Sequence, residues 1–270
     1  MDAATAPTVQ EVLYDVDSHV ATITLNAPER MNTISGPMLD ELTQLLVRAN
    51  EDPDVRCVIL TGKGRAFCAG LDLRPKGEAG AKLMSSASSP TNLNLRNTPP
   101  TVMHAMDKPI ICAVNGGAAG YGMDTALGCD IRIMAKSAKL AAAFTRRGVV
   151  PESGGTWFLP RMIGWSKAAE LIFTGRTLSA DESVEWGLAS YVVEDDQLMA
   201  KARELALDIA SNAPLAVQAS KRMMRMGLSE QFNDHVHHVF LQLLPLFKSE
   251  DAAEGMTAFM EKRPAVFKGR

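Results

Sequence analysis

The stretch NGGAAGYGMDTALGCD, residues 115–130, follows an apolar run, PIICAV at 109–114, and leads into a segment of helical composition. Its first half is almost bare of side chains. Two chemistries suit such a turn: cradling a pyrophosphate at a helix N-terminus, or presenting a naked backbone N–H to a substrate oxygen. The sequence disfavours the first. A dinucleotide fold usually opens with its glycine turn, whereas more than a hundred residues precede this one. Short-chain reductases with a related glycine spacing also need a Tyr-x-x-x-Lys pair. Four positions after Tyr14, Tyr121 and Tyr191 stand Ser18, Thr125 and Asp195.

A second glycine turn lies upstream, GKGRAFCAGLDL at 62–73, directly after the buried run CVILT. Each turn thus closes a buried strand at its carboxyl end. Two such turns suit an oxyanion hole, in which two backbone amides converge on one oxygen and small residues allow a close approach.

Outward from these turns, VLYDVD and VATITLN alternate apolar and polar residues around Ser18-His19 and predict a hairpin. SGPMLDELTQLLVRANED predicts a helix capped by Ser35, with Pro37 in its first turn and an apolar stripe of Met38, Leu42, Leu45 and Leu46. RCVILTG, KPIICAVN, DIRIMA, AKLAAAF and SYVVE read as strands. The segment Pro75–Arg96, rich in Ser, Gly, Ala and Asn, has no steady period and reads as a loop or an ill-formed helix. Beyond Asp195 four successive helical patterns follow. The chain therefore divides into an α/β core, residues 1–195, and a helical region, residues 196–270, whose apolar faces pack within the chain or on another subunit.

Composition narrows the field. The 270 residues carry a net charge of −3, with 46% hydrophobic and 22% charged residues, an ordinary globular balance. Nothing in it asks for nucleic acid or an anionic membrane. The N-terminus carries acids and no apolar core, and no apolar run approaches the roughly 18 residues that span a bilayer. Cys57, Cys68, Cys112 and Cys129 are scattered without a CxxC pair, which suits a reducing cytoplasm and no structural zinc. The HVHH of the tail (His235, His237, His238) lacks a companion ligand pattern. His104 and Trp157 read as packing residues.

NAPERMNTIS (26–35), GRAFCAGLDL (64–73), KPIICAVNGGAAGYGMDTALGCDIRIMA (108–135), GVVPESGGTWFLPRMIG (148–164), TGRTLSADESVEWGLASYVV (174–193) and the closing FMEKRPAVFKG occur in the order and spacing of one family. The chain resembles the crotonase, or enoyl-CoA hydratase/isomerase, superfamily over nearly its whole length. The resemblance implies a spiral fold of ββα units with a helical C-terminal region, assembled as a homotrimer or a hexamer. It implies an acyl-CoA or enoyl-CoA thioester as substrate and no metal or redox cofactor. The backbone N–H groups of Leu71 and Tyr121 fall on the oxyanion positions. Ala69, Gly70, Asp72, Gly120 and Phe144 fall around the substrate. Arg30, Lys63 and Arg65 flank the nucleotide end of coenzyme A.

Two acids compete for the chemistry. Asp124 takes the place of one hydratase glutamate, shortened by one methylene; on its own it could equally satisfy backbone amides at a helix N-terminus. The second hydratase glutamate is replaced by Phe144, which cannot hold water. Glu152 falls where related Δ3,Δ2-enoyl-CoA isomerases carry their single catalytic acid, though it also suits a cap for a helix starting near Gly154. The expectation is double-bond isomerisation through Glu152, with or without Asp124. Hydration by the Asp124–Glu152 pair is the alternative, and a non-catalytic acyl-CoA-binding protein is the reading from another class.

Overall fold

A computed structural model describes residues 10–72 and 98–270; the Pro75–Arg96 segment lies outside the described residues. The hairpin forms as expected. Strands β1 (Val12–Asp17) and β2 (Val20–Leu25) pair antiparallel. Ser18 and His19 between them are both left-handed, φ 50° and 64°, the geometry a two-residue hairpin turn demands. Helix α1 (Gly36–Glu51) is capped by Ser35, whose Oγ accepts from Met38 N at 3.1 Å. It returns the chain to β3 (Cys57–Gly62), which lies parallel to β2.

From there the chain repeats one device. A long buried strand enters the main sheet, a short turn follows, a three-residue strand enters a second sheet, and a helix returns; the first two of these turns carry glycines. Thus β3 leads to β4 (Ala66–Cys68) and, beyond residues 73–97, to α2 (Pro99–Ala105). Next, β5 (Ile110–Val114) leads to β6 (Gly117–Ala119) and α3 (Tyr121–Leu127). Finally, β7 (Ile131–Ala135) leads to β8 (Lys139–Ala141) and α4 (Gly155–Thr174). The main sheet runs β1-β2-β3-β5-β7-β10, and the small sheet β4-β6-β8-β9. β9 (Thr177–Ser179) is antiparallel to β8, and α5 (Ala180–Glu185) and β10 (Tyr191–Val193) complete the α/β part. The strands β4, β6 and β9, and the length of α4, which kinks at Gly164, go beyond the sequence reading.

The core is continuous across the main sheet, α1 and α6, and all four cysteines are buried within it as free thiols. Burial pushes the Cys57 and Cys68 thiols up to about 12, so they pack as small neutral groups. After β10 come α6 (Leu198–Ala210), α7 (Pro214–Gly227), α8 (Phe232–Leu246) and α9 (Glu250–Glu261). α6 buries an alanine-rich face on the sheet, whereas α8 buries no residue. No helix of the described residues is long and apolar enough to cross a membrane.

Candidate active site

The two glycine turns interlock. A Cβ at Gly122 would stand 2.1 Å from Cys68 O, at Gly116 2.2 Å from Arg65 O, and at Gly62 2.5 Å from Phe67 O. No side chain fits between backbones that close. Two asparagines fix the first turn. Asn32 Nδ2 donates to Lys63 O at 3.0 Å and to Ala66 O at 2.8 Å. Asn115 Nδ2 donates to Gly64 O at 2.8 Å, and its Oδ1 accepts from Gly62 N at 3.1 Å.

The turns bring Leu71 and Tyr121 together. Gly70, at φ +108°, lies against the second turn: a Cβ there would come 3.1 Å from Ala119 O and 3.9 Å from Tyr121 N. Ile34 N donates to Gly70 O at 2.8 Å and Asp72 N to Ile34 O at 3.0 Å. The Leu71 amide alternates with these bonds along an extended chain and so faces the opposite side. Gly120 (φ 53°) turns the chain into α3, and its N–H donates to Ala141 O at 3.0 Å. Tyr121 is the first residue of that helix, where an amide has no intrahelical partner. Neither the Leu71 nor the Tyr121 amide donates to any described residue. Phe144 is buried beside them, its ring 3.9 Å from where a Gly120 Cβ would be.

Asp124, on α3, is wholly buried. Its Oδ2 accepts from Ser153 N at 3.2 Å and Gly155 N at 3.1 Å, so it caps α4 rather than its own helix. A Cβ on Gly155 would lie 2.3 Å from Asp124 Oδ1. Oδ1 and the Ser153 hydroxyl are buried without a hydrogen-bond partner of good geometry. Burial pushes the Asp124 pKa up to about 7; the Gly155 and Ser153 amides oppose the shift and Glu152 adds to it. Glu152 is more open, at the lip of the same turn. Partial desolvation raises its pKa, offset by its own backbone N–H and the nearby Ser153 hydroxyl. Both pKa values thus move toward those of groups that exchange protons near neutrality.

The remaining expected residues divide. Ala69 N donates to Met31 O at 3.0 Å, and Asp72 is buried. Lys63 and Arg65 are exposed on the first turn with no ion pair to a described residue. Arg30 is engaged instead, 2.7 Å from Glu11 and bonded to Thr33 O at 3.1 Å. His235 and His238 bracket Glu230 at 2.8 and 2.9 Å. Among the described residues no three metal-ligating side chains gather.

The enoyl-CoA hydratase/isomerase family model matches residues 15–270. The chain belongs to that family. It is 37% identical to the 1,2-epoxyphenylacetyl-CoA isomerase of Escherichia coli K12, over 96% of this chain and 98% of that protein. It is likewise 37% identical to the (E)-benzylidenesuccinyl-CoA hydratase of Thauera aromatica, over 96% and 99%. The crystal structure of an enoyl-CoA hydratase from Bacillus anthracis superposes with a TM-score of 0.88 at 38% identity, covering 97% of this chain and all of that one. The crotonase fold expected from the sequence is the fold observed, and this family member is an enzyme of CoA thioesters.

Sequence reasoning overlooked four residues of this site. Asn32 and Asn115 shape the first turn; Asn115 stands beside the second glycine motif, whereas Asn32 lies in NAPERMNTIS, far from either motif in sequence. Ser153 gives its amide to one acid and its hydroxyl to the neighbourhood of the other. Arg132 is buried under α3, its Nη1 donating to Ala126 O at 3.3 Å and Cys129 O at 2.6 Å. It answers the negative end of the helix whose first amide is that of Tyr121.

Proposed function

We propose that the protein isomerises the double bond of an enoyl-CoA thioester, with Glu152 moving the proton. The thioester carbonyl oxygen sits between the Leu71 and Tyr121 amides. The Glu152 carboxylate takes a proton from the carbon next to the carbonyl of a 3-enoyl thioester, and the electron pair becomes an enolate held by the two amides. Glu152 returns the proton two carbons further on, giving the 2-enoyl thioester with no co-reactant consumed. Each amide of such a pair is worth about 10²–10³ in rate.

The observation that carries this reading is the difference between the acids. Asp124 is tied to two amides and buried, while Glu152, on the same turn, is exposed and accessible. Phe144, where hydration would want a second glutamate, is buried against the oxyanion turn. Lys63 and Arg65, exposed on the first turn with no ion pair to a described residue, are cations suited to the phosphates of coenzyme A. The exposed apolar face of α8 suits a trimer or a dimer of trimers.

One observation favours hydration instead: Asp124 Oδ1 and Ser153 Oγ are both buried without a hydrogen-bond partner, and a catalytic water is the kind of group that would engage them. A paired assay separates the readings. Isomerisation requires turnover of a 3-enoyl-CoA that is lost in Glu152→Gln and retained in part by Asp124→Asn. Hydration of a 2-enoyl-CoA that depends equally on both acids would replace it. Binding without turnover of either thioester would make the chain a non-catalytic acyl-CoA protein.

A further inference from the structure

Three aromatic rings adjoin the acid-bearing turn. The Phe158 ring folds back under Gly154, where a Cβ would lie 2.7 Å from Phe158 Cε2. Gly154 stands between Ser153 and Gly155, the two residues whose amides hold Asp124. Trp157 meets Phe158 edge to face, with centroids 5.1 Å apart and planes at 90°. His104, from the end of α2, completes the group at 5.2 Å and 74° to Trp157 and 6.3 Å and 68° to Phe158. The Arg161 guanidinium lies 4.2 Å over the Trp157 ring.

Phe158 packs in part against the core, and all three rings keep accessible surface. Trp157 and Phe158 are half-buried and His104 is exposed. Partial desolvation and the nearby Arg225 and Lys221 hold the His104 pKa below the usual histidine value, with Asp130 opposing the shift. A site that needed only apolar volume could be built from leucines. Three rings at mutual edge-to-face angles leave edges and faces that select by quadrupole, and a further ring at 4.5–7 Å extends the pattern.

We propose that His104, Trp157 and Phe158 form the acyl-recognition wall of the site and that the acyl group it takes carries an aromatic ring. This inference rests on the thioester reading above and adds the substrate class. A linear chain covers the same rings without the complementary edges. Each well-placed aromatic pair favours an aryl group by about 2- to 12-fold, so two or three pairs give a preference on the order of 10-fold or more.

Calorimetric titration with phenylacetyl-CoA and cyclohexylacetyl-CoA tests it. The two match in carbon count, and neither has a double bond between the second and third acyl carbons. The expected result is a Kd about 10-fold lower for phenylacetyl-CoA. That ratio falls toward one in Trp157→Leu and in His104→Leu, while the Kd of free coenzyme A stays constant. Equal affinities in the wild type, or a preference for the cyclohexyl compound, overturn the aryl proposal and leave the thioester reading intact. Failure of free coenzyme A and both thioesters to bind overturns the two together. His104 is exposed, so His104→Leu decides the wall's role if Trp157→Leu does not fold. An unchanged ratio in His104→Leu removes His104 from the wall.

Discussion

Between Gly62 and Gly122 the backbone of one turn lies so close to the other that a methyl group would stand 2.1–2.2 Å from a carbonyl oxygen at two places. Between Phe232 and Leu246 nothing is buried at all, and Phe240 keeps 54% and Leu243 38% of its surface exposed. The first region finishes its packing inside one chain. The second displays Val236, Val239, Phe240, Leu243 and Leu244 at helical spacing, and no described residue buries any of them. An apolar stripe of this kind marks an interaction surface. The contrast separates what makes the site from what the proposed assembly would use, and substitutions test it from both sides.

The largest effect belongs to the turns. Gly122→Ala places its Cβ against Cys68 O, a backbone atom that cannot rotate away. The expected outcome is loss of a cooperative thermal transition or a destabilisation above about 3 kcal/mol, beyond the usual range for overpacking, read by calorimetry. Glu152→Gln is expected to leave Tm unchanged and to lower kcat by about 10²–10⁴, the range of a lost general acid–base. An unchanged kcat would remove Glu152 from the chemistry.

Asp124 gives a pH signature. Its pKa rises from 3.8 to about 7 in the folded chain, so the native state binds more protons than the unfolded one between those values. Stability therefore falls as pH rises from about 4 to 7 and then levels. Asp124→Asn is expected to abolish that slope and to be more stable than wild type at pH 8 by a few kcal/mol, measured by urea titration at pH 5 and 8. The smallest effect on folding is expected in α8. Phe240→Asp should change the unfolding free energy of the isolated chain by no more than about 0.5 kcal/mol, while sedimentation velocity shows the assembly falling to monomer. A large loss of monomer stability would mean that α8 packs within its own chain.

The legible parts of the sequence are those with their own period. The strands β1, β2, β3, β5, β7 and β10 and the four C-terminal helices announce themselves by alternation or by an apolar stripe. The strands β4, β6 and β9 span three residues each, too short to carry a pattern, and they exist because a neighbouring strand pairs with them. α4 was obscured by Pro160 and by Gly164, whose φ of 75° and ψ of 166° break its helical course. In the site, glycines and acids were visible as residue types, but their partners were not. Asp124 bonds to amides 29 and 31 residues away, which no local window contains. Arg30 illustrates the converse: a basic residue at the expected place whose charge is answered by Glu11.

The Asn115–Gly116 step has a consequence for how the protein ages. An asparagine followed by glycine is the pairing in which the next backbone nitrogen most readily attacks the side-chain amide and expels ammonia. Here that amide is gripped at both ends by the first turn, and Gly116 is pressed against the Arg65 carbonyl, so neither group is free to swing into the cyclic intermediate. Should the turn open and the reaction run, a carboxylate would replace the donor and face the carbonyls of Gly64 and Ala66. The bond that shapes the first turn is thus also its preservative, and shelf life becomes a readout of how tightly the turns stay closed.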